Sequence, residues 1–341
     1  MLRLAVVGAG VIGRKHIELI KANALTALVA IVDPSAHAAT LADAHATRWF
    51  ADIESMFDAT RPDGVILATP NGLHASGALA AIRRGIPVLI EKPIAASMDD
   101  ASLIARASET EGVPILVGHH RRHNPIIRAA RDCVKSGRLG RLTAIAGMTL
   151  FYKPDEYYEP EWRRSSEAGP VLINLVHGID DLRFICGEIE SVQAMTSHSV
   201  RNYDTEDTAA VIMRFENGAL GTFTLSDTTV APWSWELTSG ENPDYPRSNA
   251  GCYLIGGTEG SMSLPDLRLW SHSGKKGWNN ELTVDSIDIV ASDSLAEQLA
   301  HFTRMVRKVE KPICDARDAM KTLATIDAIH RAARLCCTVR P

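Results

Sequence analysis

The sequence predicts two domains of different architecture. Residues 1–120 read as an α/β doubly wound parallel sheet, and residues 121–341 as an α+β domain with an open, mostly antiparallel sheet. Three observations carry this reading. With 341 residues the chain is too long for one ordinary core. Its first third alternates short, continuously apolar runs with helical segments, the pattern of parallel strands covered on both faces. After about residue 120 that alternation stops, and strand-like segments follow one another without interleaved helices.

Taken in order, Leu2–Val7 is a strand and Val11–Ala22 has helical character. "ALVAIVD" (27–33) and "DGVILAT" (63–69) are strands, residues 73–84 a helix, and "PVLIEK" (87–92) a strand. Met98–Glu111 is helical and "PILVGHH" (114–120) strand-like. In the second half, residues 121–137 are amphipathic and helical after Pro125. Strands follow at 142–151, 189–199, Thr208–Phe215 and 219–227, with Asn217-Gly218 as a hairpin turn between the last two. Further strand-like pieces run from 252 to 290, and residues 295–308 and 315–334 are terminal helices expected to pack back on the first domain.

The first turn, "GAGVIGRKH", sets Gly8-x-Gly10-x-x-Gly13 between a strand and a helix. Gly8 allows the tight turn, Gly10 lets the backbone approach a pyrophosphate, and Gly13 permits close helix–strand packing. Val11 and Ile12 open the helix, whose N-terminus offers unpaired N–H groups to phosphate. Asp33 ends the second strand, 20 residues past Gly13, where a carboxylate would accept bonds from a ribose diol. Dinucleotide binding on a Rossmann domain follows. No Arg or Lys appears in Pro34, Ser35, Ala36 or His37, so NAD is expected over NADP.

Two more strand ends carry polar groups. "ATPNGLHA" (68–75) supplies the turn Thr69-Pro70-Asn71 and then His74. "PVLIEKPIAAS" (87–97) delivers Glu91, Lys92 and Pro93 at the tip of an apolar strand. Either could be a polar surface turn, but three such tips on one sheet edge look like a site.

Together "GAGVIGRKH", "ATPNGLHA" and "IEKPIAAS" resemble the Gfo/Idh/MocA oxidoreductases, a family that includes glucose-fructose oxidoreductase and inositol dehydrogenase. The resemblance extends over nearly the whole chain. It implies a nicotinamide cofactor held by Gly8, Gly10, Val11, Ile12, Gly13, Asp33, Thr69, Pro70, Asn71, His74, Glu91, Lys92 and His119. It also implies a sugar, polyol or cyclitol-like substrate. Lys92 resembles the family's active-site lysine, followed by a proline whose bond is often cis.

In the second half the richest segment is "GPVLINLVHGIDDLRFICG" (169–187), where Asn174, His177 and Asp181 are spaced i, i+3, i+7 on one helix face. His177-x-x-Asp180 resembles the family's His-x-x-Asp, a resemblance that implies a catalytic role for His177; a lone His would otherwise be a satisfied core residue. Many relatives carry an Asp four residues before this His. Here that position is Ile173, so Asn174 can bond a substrate hydroxyl but no carboxylate is available. Arg121 or Arg122, with Arg163 and Arg164, could face a carboxylated or phosphorylated substrate or form surface salt bridges. The aromatic loops 152–162 and 227–246, with Trp233, Trp235 and Tyr245, would line a pocket or an interface.

The remaining features exclude other classes. A formal net charge of −5 argues against nucleic acid or a polybasic membrane contact. No apolar run reaches the roughly 18 residues needed to span a bilayer, and the start reads as a strand rather than a signal peptide. The cysteines at 133, 186, 252, 314, 336 and 337 form no Cys-x-x-Cys pair, so reduced thiols in a cytoplasm fit. His119 and His123 have helical ligand spacing but no evident third ligand, so no metal is expected. The strands from 189 to 290 are expected to expose an apolar face that joins a homodimer or homotetramer.

The expected reaction is NAD-dependent oxidation of a secondary alcohol on a polyol, sugar, cyclitol or cyclic hydroxy acid. His177 takes the hydroxyl proton and Lys92 bonds the same oxygen. A regulator on the same fold would not need Lys92 and His177, and an enzyme using NAD transiently would keep it tightly bound.

Overall fold

The computed structural model describes residues 1–165 and 168–341. The chain divides into two compact units, Met1–His123 with Asp293–Leu323, and Asn124–Ser292 with Ala324–Pro341.

In the first unit the elements alternate: β1 (Leu2–Val7), α1 (Val11–Ala22), β2 (Thr26–Val32), α2 (Ala36–Ala44), β3 (Arg48–Phe50), α3 (Ile53–Ala59), β4 (Gly64–Leu67), α4 (His74–Ile82), β5 (Val88–Ile90), α5 (Met98–Glu111) and β6 (Ile115–Val117). The sheet order is β3-β2-β1-β4-β5-β6, and every pair is parallel. The order reverses between β1 and β4, the place where ligands bind in such sheets. Strand periodicity of two sorts the apolar side chains into two cores. Val7, Val32, Leu67, Ile90 and Val117 join one core with residues of α4 and α5. Val6, Ile31, Ile66, Leu89 and Leu116 join the other, with Ile17 and Ile20 of α1 and Leu299, Phe302 and Met305 of the helix Ser294–Val306. Both faces are covered, which is why these strands read as unbroken apolar runs. β3 gives no such signal, because it is a three-residue edge strand whose Trp49 is exposed.

The second unit holds α6 (Pro125–Lys135), β7 (Leu142–Leu150), α7 (Val176–Cys186), β8 (Ile189–Ser197), β9 (Thr208–Phe215), β10 (Leu220–Ser226), α8 (Trp235–Thr238), β11 (Tyr253–Gly257), β12 (Gly260–Leu264), β13 (Arg268–Ser271) and β14 (Thr283–Ser286). Two helices follow in the chain, α9 (Ser294–Val306) and α10 (Ala316–Leu335). The sheet runs β14-β13-β12-β11-β7-β10-β9-β8. It is antiparallel throughout except for β7 and β10, which pair in parallel at its centre. Asn217-Gly218 forms the β9–β10 turn, with Gly218 at φ 88°.

The helix α7 is seated on this sheet by small residues and one polar bond. A Cβ at Gly147 or Gly178 would come within 2.5 or 2.7 Å of the Phe223 ring, so both glycines make room for it. Asp181 accepts a hydrogen bond from Tyr253 Oη at 3.0 Å. The opposite sheet face is open: Met195, Ile212, Leu220 and Leu254 are exposed there, while Val211, Met213 and Phe223 are buried. Among the described residues no helix is long and apolar enough to cross a membrane.

Candidate active site

The glycine loop separates into two kinds of glycine. Gly8 sits at φ 98°, and a Cβ there would lie 2.4 Å from the Ala68 carbonyl oxygen. At Gly13 a Cβ would lie 2.0 Å from the Gly8 carbonyl oxygen. The fold itself therefore requires both. Gly10, at φ −70°, has nothing within 4 Å of its Cβ position. The protein has no internal need for glycine there, whereas a ligand lying against the loop does. Asp33 fastens the loop from the side. Its Oδ2 accepts from Ala9 N at 2.9 Å and its Oδ1 from Ser35 N at 2.9 Å. Burial opposes its charge, but the Ser35 and Ala9 donors, with His37 nearby, outweigh that and hold the carboxyl below its usual range. A carboxylate has about four lone-pair sites, so acceptor capacity remains for a ribose diol.

A cavity of about 860 Å³ opens beside this loop, lined among others by Gly8, Asp33, Thr69, Pro70, Leu73 and Arg83. Its volume lies within the range of small-molecule and cofactor sites. Within it Thr69 Oγ1 is buried with no partner among the described residues. Together with the bare surface at Gly10, these residues fit a dinucleotide. Val11 is exposed at the start of α1, Ile12 is half-buried, and Asn71 is exposed in the short turn after Pro70.

At the tip of β5 the backbone is braced twice. Glu91 is buried, and its Oε1 lies 2.7 Å from Nε2 of the fully buried His16 on α1. Burial alone would raise the Glu91 pKa; the His16 hydrogen bond and charge, with His120 and Lys92, hold it below the usual range instead. Sequence reasoning passed over His16, although it lies three residues beyond Gly13. His74, expected at the cofactor, has its ring engaged with backbone: Nδ1 lies 2.9 Å from the Pro93 carbonyl and Nε2 3.0 Å from the Thr69 carbonyl. A neutral imidazole can donate to only one of these. Burial pushes its pKa down, while the two carbonyls and Glu91 pull the other way. Either way it ties the tip of β4 to the tip of β5. Lys92 lies between these braces, half-buried, and its bond to Pro93 is cis. His119 and Arg121 are buried just past the tip of β6. Arg122 bonds Asp318 and the Ile313 carbonyl, so it is a structural cation of this unit.

In the second unit, residues Val171–Leu175 form a π-helical turn that runs into α7. Such turns are wider than α turns, and Asn174 lies in this one, three residues before His177 in one continuous helical run. His177 is buried on α7. Asn174 is half-buried and its Oδ1 accepts from Lys153 Nζ at 2.7 Å. Lys153 gave no sequence signal because it follows β7, 21 residues before its partner. Burial brings its ammonium down to about 8, against the pull of Asp227 and Glu236 and with help from Arg201 and Arg163. Arg163 stacks on Tyr157, 4.1 Å from the ring centroid. Trp235 is fully buried and donates to Glu241, which makes it core, while Trp233 and Tyr245 are exposed.

Comparison with known proteins bears on these features. Residues 2–119 match the family described as "Oxidoreductase family, NAD-binding Rossmann fold", and residues 127–263 match the GFO/IDH/MocA C-terminal domain. The 1,5-anhydro-D-fructose reductase of Ensifer adhaerens is 28% identical over 274 residues, which is 80% of this chain and 77% of that protein. An inositol 2-dehydrogenase of Corynebacterium glutamicum is 30% identical over 226 residues, 64% of this chain and 65% of that protein. The WlbA dehydrogenase of Bordetella pertussis, solved with NADH and UDP-GlcNAcA, is 26% identical with a TM-score of 0.81, covering 100% of this chain and 98% of its own. With its glycine loop, its two-unit architecture and both family matches, the chain belongs to the GFO/IDH/MocA family and is an NAD-binding oxidoreductase.

Proposed function

We propose that the protein oxidises a secondary alcohol of a sugar, polyol, cyclitol or cyclic hydroxy acid with NAD. The observation that carries this reading is Lys92, held at the tip of β5 in the same sheet edge as the glycine loop and Thr69. Gly8, Gly10, Gly13, Val11, Ile12 and Asp33 hold the cofactor, with Thr69, Pro70 and Asn71 along its course. Bound NAD supplies the hydride acceptor. Lys92 donates a hydrogen bond to the reacting oxygen, and a ring nitrogen of His177 takes the hydroxyl proton. Asn174 bonds a neighbouring hydroxyl, and Arg121 and Arg163 contact the substrate. His74, Glu91 and His119 act behind the cofactor, keeping the strand tips in place. Because Ile173 carries no carboxylate, the simplest proton route is His177, supported by Lys92. Turnover of a panel of polyols, sugars and hydroxy acids, followed at the NADH absorbance, tests the reading. Reduction of NAD by none of them, with the protein folded and binding NADH, would overturn it.

Asp33 should set cofactor preference. A 2′-phosphate would meet its carboxylate, so wild type should show higher kcat/KM with NAD than with NADP. Asp33→Ser combined with Pro34→Arg should move the ratio toward NADP, since Arg pairs with phosphate. Higher wild-type kcat/KM with NADP would refute the assignment.

The open sheet face should be covered by a second copy. Met195, Ile212, Leu220 and Leu254 are too apolar a set to leave in water. Sedimentation at micromolar concentration should give a homodimer or homotetramer, and Ile212→Asp with Leu254→Asp should shift it toward monomer. A wild-type monomer would remove the proposal.

A further inference from the structure

Lys153 follows β7 and is the one buried lysine among the described residues. It is 6% exposed, yet its nearest hydrogen-bond acceptor is the neutral amide oxygen of Asn174, at 2.7 Å. The nearest carboxylate oxygen, Asp227 Oδ2, is 3.8 Å away. That carboxylate already accepts from Tyr158 Oη and pairs with Arg201, and Arg201 also pairs with Asp155 at 3.0 Å. Arg163 is half-buried beside Lys153. Its Nη1 donates to the Tyr157 carbonyl at 2.6 Å, its plane lies over the Tyr157 ring, and its Nε is buried with no partner among the described residues. Lys153 Nζ lies 4.8 Å from the centroid of the same ring. Two cations thus flank one tyrosine, and among the described residues neither has a carboxylate within hydrogen-bond distance.

Buried charges of one sign are normally paired, because an uncompensated one costs several kcal/mol. A pair held on aromatic rings and neutral oxygens is pre-set for an external anion. Its location says which one. Asn174, the partner of Lys153, lies three residues before His177 in the same helical run, so the anion belongs to the molecule on which His177 acts. We infer that Lys153 and Arg163 bind the carboxylate of the substrate, which makes the preferred substrate a sugar acid or related polyhydroxy carboxylate rather than a neutral polyol. This rests on the reading of His177 as the group that takes the substrate proton. It assigns Lys153 a role in specificity that sequence analysis did not find, and it narrows the substrate to an anionic class.

The ionisation of Lys153 supplies a signature. The charged groups acting on it are Asp227, Glu236, Arg201 and Arg163, with the Tyr157 ring centroid 4.8 Å away, and burial dominates among them, bringing the ammonium to about 8. The free enzyme should therefore lose affinity for an anionic substrate as pH rises through about 8, the limb that kcat/KM reports. Arginine stays charged over that range.

The test compares matched pairs: D-glucuronate with D-glucose, and D-gluconate with D-glucitol. Wild type should show at least about tenfold higher kcat/KM on an acid than on its neutral counterpart. In Lys153→Met and Arg163→Met that ratio should fall about 10- to 100-fold, through KM, as loss of a charged hydrogen bond predicts. Lys153→Arg should keep the preference and carry it to higher pH. Thermal melting of each variant separates loss of folding from loss of binding, and Lys153→Arg serves if Lys153→Met does not fold. A preference for the neutral partners, or an equal loss on both in the variants, would overturn the inference while leaving the dehydrogenase reading standing if NAD is still reduced. If nothing is turned over, calorimetry of D-glucuronate on the NADH-loaded enzyme decides: binding lost in Lys153→Met supports the inference though the proposed reaction fails, and no binding to wild type overturns it.

Discussion

Lys92→Ala is expected to lower kcat about 10²- to 10⁴-fold on any alcohol the enzyme oxidises, the usual contribution of a positioned acid–base group, while NAD affinity changes little. The expectation follows from how the residue is held. Its neighbour Glu91 is buried against His16, and the Pro93 carbonyl lies 2.9 Å from the His74 ring. The backbone on both sides of Lys92 is thus fixed by pairs that do not include the Lys92 ammonium, so removing the side chain should leave the strand tip in place. His177→Ala should cost a factor in the same range. The double variant should lose much less than the product of the two, because both groups serve one oxygen. Melting temperatures close to wild type would confirm that the loss is chemical. Near-normal kcat in both single variants would remove Lys92 and His177 from the mechanism.

How much of this was legible in the sequence depended on distance along the chain. The glycine loop is a local device: a strand, a turn and a helix start within thirteen residues, so its three glycines could be assigned in order. Asp33 was equally legible, because the end of the second strand is a fixed place in this topology. The braces behind Lys92 were not. His16 meets Glu91 across 75 residues, and His74 meets Pro93 across 19, and no periodicity marks such partners in advance. Lys153 was hidden for the same reason. "YKPDEYY" read as an aromatic loop, and only the folded chain brings its lysine to Asn174. The π turn at Val171–Leu175 was not legible either, since no residue pattern there marks a change of helical pitch. The central parallel pair of β7 and β10 also lay beyond local reading, since it joins strands separated by the whole β8–β9 hairpin.

Gly10→Val and Gly13→Ala should fail in opposite ways, although both alter the same motif. At Gly13 the added Cβ would come 2.0 Å from the Gly8 carbonyl oxygen, a backbone atom in a turn already packed closely against Ala68, where a Cβ on Gly8 would lie 2.4 Å from the carbonyl oxygen. Overpacking against backbone costs about 1–3 kcal/mol, occasionally more. That should appear as a fall in melting temperature of several degrees, at about 2–4 °C per kcal/mol for a unit of this size. Gly10 is different. Its φ of −70° is open to any residue, and nothing lies within 4 Å of its Cβ position. It caps α1 without a side-chain bond, and replacing it there should cost under about 1 kcal/mol. What valine removes is the close approach of a pyrophosphate to the loop backbone. NADH affinity, followed by its fluorescence, should therefore fall about 10²-fold or more, corresponding to roughly 3 kcal/mol, with the melting temperature of the free protein nearly unchanged. Gly10→Ala should lie between wild type and valine in affinity. If Gly10→Val instead melts early and binds NADH normally once folded, the open surface at Gly10 is not where the dinucleotide lies, and the cofactor assignment built on this loop fails with it.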